Sequence, residues 1–248
     1  MNVERSLEEK FRETGGKRPY VQRLFGRIAP IYDLLNRIMS LGLDRYWRAF
    51  AASHMVLRSN EVGLDLGTGT ADLSIAIIRR SKPEARMIGM DITPEMLERG
   101  RKKIARLGLQ HRIELRLGDA ESIDLQDDSV DGCCSAFTVR NLIDIRQGFR
   151  EMVRVVRPGG RVVCLEISHP PGKIFGALFH LYFYKIAPLF GALIGKAFEE
   201  YSYLPHSLTT FPDASSLQAI MEEAGWSNVH FYRLSGGMVA VHVGEKPQ

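Results

Sequence analysis

Cysteine is scarce in this chain. Only Cys133, Cys134 and Cys164 occur, two of them adjacent. No Cys-x-x-Cys pair and no Cys/His ligand spacing is present, so the common zinc and dithiol-redox motifs are excluded and no metal is expected. All three lie in apolar, strand-like runs, which predicts buried reduced thiols in a cytoplasmic protein. Long apolar runs are missing too. None reaches the roughly 18 residues of a membrane-spanning helix. Met1 to Lys10 is charged and has no apolar core segment, so no signal peptide is expected. Neither sign of charge dominates: 33 Lys and Arg stand against 29 Asp and Glu, a net charge of +4. The basic residues are scattered, which argues against a nucleic-acid partner but permits a negatively charged membrane surface as neighbour. Repeats and low-complexity segments are absent. What is present is an ordinary globular composition, 45% hydrophobic and 25% charged over 248 residues. That suffices for one large domain with a good core.

One stretch organises the rest: Glu61-Val62-Gly63-Leu64-Asp65-Leu66-Gly67-Thr68-Gly69-Thr70-Ala71-Asp72. It reads as a buried strand, a glycine turn and a helix start. Gly67 and Gly69 let the backbone turn sharply and approach a ligand closely. This is the first βα turn of an open α/β sheet, where such folds bind nucleotides. Two acids support that reading. Asp91 ends a second strand, Arg86 to Asp91, where a carboxylate can take ribose hydroxyls. Asp119 follows a third strand, Ile113 to Leu117. A dinucleotide fingerprint would place a third glycine at position 72, which is Asp, and no P-loop Gly-Lys-Ser/Thr ending exists.

The series Asp65-Leu66-Gly67-Thr68-Gly69-Thr70, an acid ending strand two and Gly118-Asp119-Ala120 after strand three resembles the class I S-adenosylmethionine-dependent methyltransferases. The resemblance implies S-adenosylmethionine as cofactor. The glycine turn, Gly67 to Thr70, would face its methionine part, Asp91 would hold its ribose, Asp119 with Ala120 would meet its adenine, and Asp65, Thr68 and Ile92 count among the cofactor residues. Ala136, after strand four, aligns with a further cofactor position.

Residues 1–19 read as a polar, poorly anchored leader, and 20–57 as a helical cap. Val21, Leu24, Phe25 and Ile28 share one face of it, and Ile31, Leu34, Leu35 and Ile38 another. Residues 58–248 then form the methyltransferase domain. Strands are predicted near 61–66, 86–91, 112–117, 130–136 and 160–167, with helices near 71–80, 94–107 and 144–157. Thr93-Pro94-Glu95 is a helix start, and Pro158-Gly159-Gly160 a helix stop and turn. A late helix near 213–224 precedes a hairpin, 228–234 and 238–243, about Gly236-Gly237. Five βα units followed by an antiparallel pair resemble the seven-stranded, Rossmann-like class I methyltransferase sheet, mostly parallel with one antiparallel strand. Between strand five and the late helix, residues 173–196 are strongly apolar, interrupted only by three lysines and one histidine. Two readings stay open for this segment: a core helix pair broken at Pro188, or an apolar lid that touches the bilayer surface.

Three further stretches narrow the substrate: Tyr32 to Ser40 with Trp47, Arg154 to Ser168, and Tyr201 to Ser207 with the C-terminal Gly236 to His242. Together they resemble the menaquinone and ubiquinone biosynthesis C-methyltransferases over roughly residues 20–245. The chain departs from that family's pattern at Asp44, where His is usual, in its Gly-Thr-Gly-Thr-Ala loop, and at Ala136, where some members have a cofactor-site Ser. The resemblance implies a polyprenylated quinol as substrate, peripheral membrane contact, and Arg140, Asn141 and Tyr32 as substrate-side residues. Arg140 suits a developing phenolate but is a poor base, because a guanidinium does not give up its proton in a protein. Its structural alternative is an ion pair with Asp144. Glu166, at the end of strand five, has the alternatives of proton acceptor and loop-capping carboxylate. His169, beside Pro170-Pro171, reads as a loop residue, and His206 and Tyr203, near the apolar segment, rank below Arg140 and Tyr32.

Overall fold

The computed structural model describes residues 3–172, 176, 203 and 207–248. Seven strands form one sheet in the order β3-β2-β1-β4-β5-β7-β6. They are β1 Val62–Leu66, β2 Arg86–Asp91, β3 Ile113–Leu117, β4 Val130–Ala136, β5 Val156–Ile167, β6 Ser227–Leu234 and β7 Val239–Glu245. Strands β1 to β5 pair in parallel, and β7 inserts antiparallel between β5 and β6. The predicted architecture is therefore present: the class I methyltransferase fold, with its crevice where β1 and β4 part in opposite directions.

The sheet is buried on both faces because its central strands are apolar at consecutive positions. Along β5, Val162 and Cys164 join one core cluster, while Val163 and Leu165 join the other. Alternation by two puts neighbours on opposite faces. The cysteines follow the same rule. All three are fully buried and free, and burial pushes their thiols well up. Packed on the sheet are α5 Asp72–Ile78, α6 Pro94–Arg106, α7 Ile145–Val155 and α8 Ala214–Glu223. Pro94 starts α6 as expected, and Asp213 caps α8 by accepting the Ser216 N–H at 2.8 Å.

At the α7–β5 junction the structure departs from the sequence reading. Helix α7 passes into β5 at Val156, and Arg157 to Gly160 bulge outward within the strand, between the pairs Val130/Val156 and Gly132/Arg161. The bulge needs glycine at 160. A Cβ there would lie 2.7 Å from the Asp131 carbonyl oxygen and 2.9 Å from that of Arg157. The Pro-Gly-Gly turn thus buckles a strand rather than preceding one.

The cap consists of α1 Val3–Thr14, α2 Lys17–Ile28, a short 3-10 turn, α3 Tyr32–Met39 and α4 Asp44–Ser53. The expectation of a loose leader is corrected here. Helix α1 is anchored by Leu7, 2% exposed, and by Phe11, whose ring lies 5.2 Å from that of Tyr20. Two apolar residues one turn apart suffice on an otherwise charged helix, and the leader's average polarity concealed them. Leu7, Val21, Leu24, Ile28 and Leu35 form a third core cluster with Met96 of α6 and Tyr203. A second correction concerns α3. Leu35 is buried, but Leu34 is 52% exposed. Leu34 lies about 100° round the helix from Leu35, outside the arc that packs on the third cluster. The apolar segment 173–196 lies outside the described residues, apart from Gly176.

Candidate active site

Two cavities meet at the carboxyl edge of the sheet. The first, a cleft of about 700 Å³ including its opening, is lined by Gly67, Gly69, Tyr32, Asp91, Ile92, Asp119, Ala120, Phe137 and Asn141, with Arg18, Val21 and Phe25 of α2 as outer wall. The second, of about 920 Å³ including its mouth, is mostly apolar. Leu24, Ile28, Met39, Trp47 and Ile167 line it, with Asn36, Ser40, Asp44, Arg140 and Tyr203 among its polar members. Phe25, Tyr32 and Phe137 belong to both.

The cleft is built around the glycine turn. Gly67 and Gly69 have φ of 65° and 54°, conformations a side chain disfavours. At Gly67 a Cβ would also overlap the side chain of Thr138, whose Oγ1 donates to the Gly67 carbonyl at 3.1 Å. Asp91 is 9% exposed and grips the turn, accepting the Gly69 N–H at 2.8 Å on one oxygen and the Thr93 N–H at 2.8 Å on the other. Burial nevertheless raises its pKa. Asp65 works from beneath. Its Oδ2 accepts from Thr68 at 2.8 Å and from the Ser74 hydroxyl at 2.6 Å, and burial pushes its pKa up to about 6. Thr70 donates to Asp33 of α3 at 2.6 Å and accepts from Lys103 at 2.9 Å, tying loop to cap.

The predicted cofactor residues therefore divide. Gly67, Gly69, Asp91, Ile92, Asp119 and Ala120 line the cleft. Asp65, Thr68, Thr70 and Ala136 do not; the first three hold the loop by hydrogen bonds behind it, and Ala136 packs against the core. The oxygens of Asp119 are engaged, one with Arg18 at 2.8 Å and one by the Glu121 N–H at 2.9 Å.

Helix α2 is tethered across this cleft. Lys17 donates to the Leu142 carbonyl at 2.6 Å and Gln22 to that of Ile92 at 2.7 Å, beside the Arg18 pair. These tethers were not foreseen, because nothing in Lys17-Arg18-Pro19 distinguishes a tether from a solvated charge run.

Between the cavities stands Phe137, at φ 59°, a strained value for a large side chain. Its ring meets Trp47 edge-on at 6.3 Å and lies under the Arg48 guanidinium at 5.3 Å. Its carbonyl accepts from Arg140 at 2.7 Å and from Asn141 at 3.4 Å. The sequence carried no signal for it, since backbone strain is set by the packing around a residue.

All three predicted substrate-side residues border these cavities: Arg140 the apolar one, Asn141 the cleft and Tyr32 both. The alternative partner for Arg140 is corrected. Asp144 caps α7, accepting the Gln147 N–H at 3.1 Å. Arg140 instead pairs with Glu166, Nη1 lying 2.8 Å and 3.2 Å from its two oxygens. Glu166 is 1% exposed, and burial pushes its pKa up to about 7 against the opposing Arg140 charge. His169 is exposed, its Nε2 3.0 Å from the Phe211 carbonyl. His206 lies outside the described residues. Among those residues no group of three or more acidic, His or Cys side chains is arranged to hold a metal.

The sequence profile of the ubiE/COQ5 methyltransferase family matches residues 13–246. The chain belongs to that family. It is 40% identical to the ubiquinone/menaquinone biosynthesis C-methyltransferase UbiE of Geotalea daltonii over 237 residues, covering 96% of this chain and 99% of that one. To the demethylmenaquinone methyltransferase of Roseiflexus castenholzii it is 42% identical over 231 residues, covering 93% and 94%. Among solved structures, the [4+2]-cyclase SpnF superposes with a TM-score of 0.69 at 14% identity, covering 92% of this chain and 96% of that one. A SAM-dependent methyltransferase from Aquifex aeolicus gives 0.56 at 18%, covering 78% and 86%. These structural likenesses concern the fold. For this family member the cleft suits an adenosyl cofactor: a left-handed glycine turn open to close approach, with carboxylates at the ends of two strands.

Proposed function

We propose that this protein transfers a methyl group from S-adenosylmethionine to a ring carbon of a polyprenylated quinol in quinone biosynthesis. Demethylmenaquinol is the first candidate and the ubiquinone-pathway benzoquinol the second. The supporting observation is the pair of cavities, one bordered by the glycine turn and acids, the other apolar, sharing only aromatic walls.

Gly67, Gly69, Asp91, Ile92, Asp119 and Ala120 would hold the cofactor, with Asp65, Thr68 and Thr70 keeping the loop in shape. When bound, S-adenosylmethionine supplies an electrophilic methyl on a sulfonium. The protein's task is to align the quinol carbon with that methyl and keep water out. Phe25, Tyr32 and Phe137 are placed for both. A quinol carbon becomes a competent nucleophile when its ring oxygen carries negative charge, and Arg140 stabilises that oxygen. Asn141 and Phe137 position Arg140 through the shared Phe137 carbonyl.

The substrate's prenyl tail belongs in a bilayer. Peripheral membrane contact on the cytoplasmic side is part of this reading. The exposed Leu34, Leu41, Leu43 and Tyr46, on the same stretch of chain as the cavity-lining Asn36, Met39, Asp44 and Trp47, support it, as does the apolar composition of residues 173–196. No helix among the described residues is long and apolar enough to cross a membrane.

The test is complementation. Expressed in a strain lacking its quinone C-methyltransferase, the protein should restore a methylated quinone, and mass spectrometry identifies which. No gain of methyl on any quinone, from a protein that is folded and binds S-adenosylmethionine, would overturn the reading.

A further inference from the structure

Three residues that line the apolar cavity, Asn36, Arg140 and Tyr203, each carry a buried polar side-chain atom without a partner among the described residues, and the last two also feel the charge of Glu166. In these two the atoms are Arg140 Nε and Tyr203 Oη. Native folds rarely leave such groups without a reason. Both residues line the same cavity, and Tyr203 lies close enough to Arg140 and Glu166 to feel both charges.

The rest of each side chain is fixed. Arg140 Nη1 is committed to Glu166 and to the Phe137 carbonyl, which leaves its Nε edge free. Tyr203 is 3% exposed, its ring 5.7 Å from that of Tyr20. Burial raises its pKa, so the hydroxyl stays protonated and able to donate. Two fixed donors in a mostly apolar cavity fit one acceptor atom attached to an apolar body.

We propose that Arg140 Nε and Tyr203 Oη form a seat for one ring oxygen of the quinol, and that Glu166 is the positioning residue that holds Arg140 in it. This rests on the quinol substrate proposed above and adds Tyr203 and Glu166 to its machinery. An oxygen has lone pairs for both donors, and the bonds strengthen as its negative charge grows. The seat therefore favours the charged ring over the resting one, as a catalytic site must. Glu166 neutralises Arg140 without touching the ring oxygen, so the pair can sit in an apolar wall.

Tyr203→Phe tests the seat directly. It removes a buried hydroxyl that has no partner among the described residues, so the melting temperature should stay level or rise. Turnover on a short-tailed demethylmenaquinol should fall about 10- to 100-fold, with S-adenosylmethionine affinity unchanged. Binding gives an arm independent of methyl transfer. Wild type should prefer 1,4-dihydroxynaphthalene to naphthalene, which offers no acceptor oxygen, at least about tenfold, and the variant should lose most of that preference. Glu166→Gln should lower kcat more than KM. Combined with Tyr203→Phe, it should cost less than the product of the two single effects, because both act on one oxygen. Unchanged turnover and diol preference in Tyr203→Phe, or full additivity in the double variant, would overturn the seat. A wild type that shows the diol preference but methylates no quinol would overturn the preceding reading and support the seat.

Discussion

Asp91 serves two purposes with one carboxylate. Its two oxygens hold the glycine turn through Gly69 and the start of α6 through Thr93, and the same group faces the cleft where ribose hydroxyls are expected. Asp91→Asn therefore turns one acceptor into a donor facing a backbone N–H, a buried mismatch costing about 1–3 kcal/mol. Cofactor affinity measured by calorimetry should fall at least about tenfold, and the melting temperature should drop as well. Unaltered affinity would exclude a ribose role for Asp91. The sequence pointed to this residue because a carboxylate closing strand two is a positional signal. It could not point to the Arg140–Glu166 pair, whose members lie 26 residues apart. Only the parallel pairing of β4 with β5 brings that turn and that strand end together, and Asp144, the partner nearer in sequence, is used to cap α7.

At the scale of elements, α2 decides access to the cleft. It forms the outer wall and is fastened by Lys17, Arg18 and Gln22. On the function proposed above, cofactor exchange would loosen these contacts. The Arg18–Asp119 pair is the weakest candidate on energetic grounds, since the Arg18 side chain is 44% exposed and such pairs contribute about 0–1 kcal/mol. Arg18→Ala should leave the melting temperature nearly unchanged and speed S-adenosylhomocysteine release by up to about fivefold in stopped-flow measurements. Slower release would mean that Arg18 does not fasten the wall. The helix itself was legible from the apolar spacing of Val21, Leu24 and Ile28. Its placement over the cleft was not, because the tethers end on backbone carbonyls, which every sequence has.

For the whole molecule, three buried titratable groups set opposing pH dependences. His242 is 1% exposed. Its Nε2 donates to the Ala214 carbonyl at 2.8 Å, and burial lowers its pKa to about 4 from 6.5. The stability from keeping it neutral is complete above pH 6.5 and is lost as the pH falls through 4. Glu166 and Asp65 act the other way. Burial raises them to about 7 and about 6, so their contribution is complete below 4.5 and 3.8 and is lost as the pH rises through those folded values. His242→Gln, which keeps a donor for Ala214, removes the acid-side loss alone. Its stability deficit relative to wild type should shrink by about 2–3 kcal/mol between pH 7 and pH 4, measured by urea unfolding. Parallel pH profiles would show that His242 does not titrate in this way.

The sequence alone determined the sheet, the glycine turn, the two strand-end acids and the cap helices. These follow from local rules: alternation in strands, helical spacing and the backbone freedom of glycine. The anchoring of α1, the exposure of Leu34, the bulge at Arg157 to Gly160, the strain at Phe137 and the pairing of Arg140 with Glu166 were decided by tertiary structure. Each depends on what a residue meets across the fold. Contacts between residues far apart in the chain are set by how complete elements pack, which no local pattern encodes.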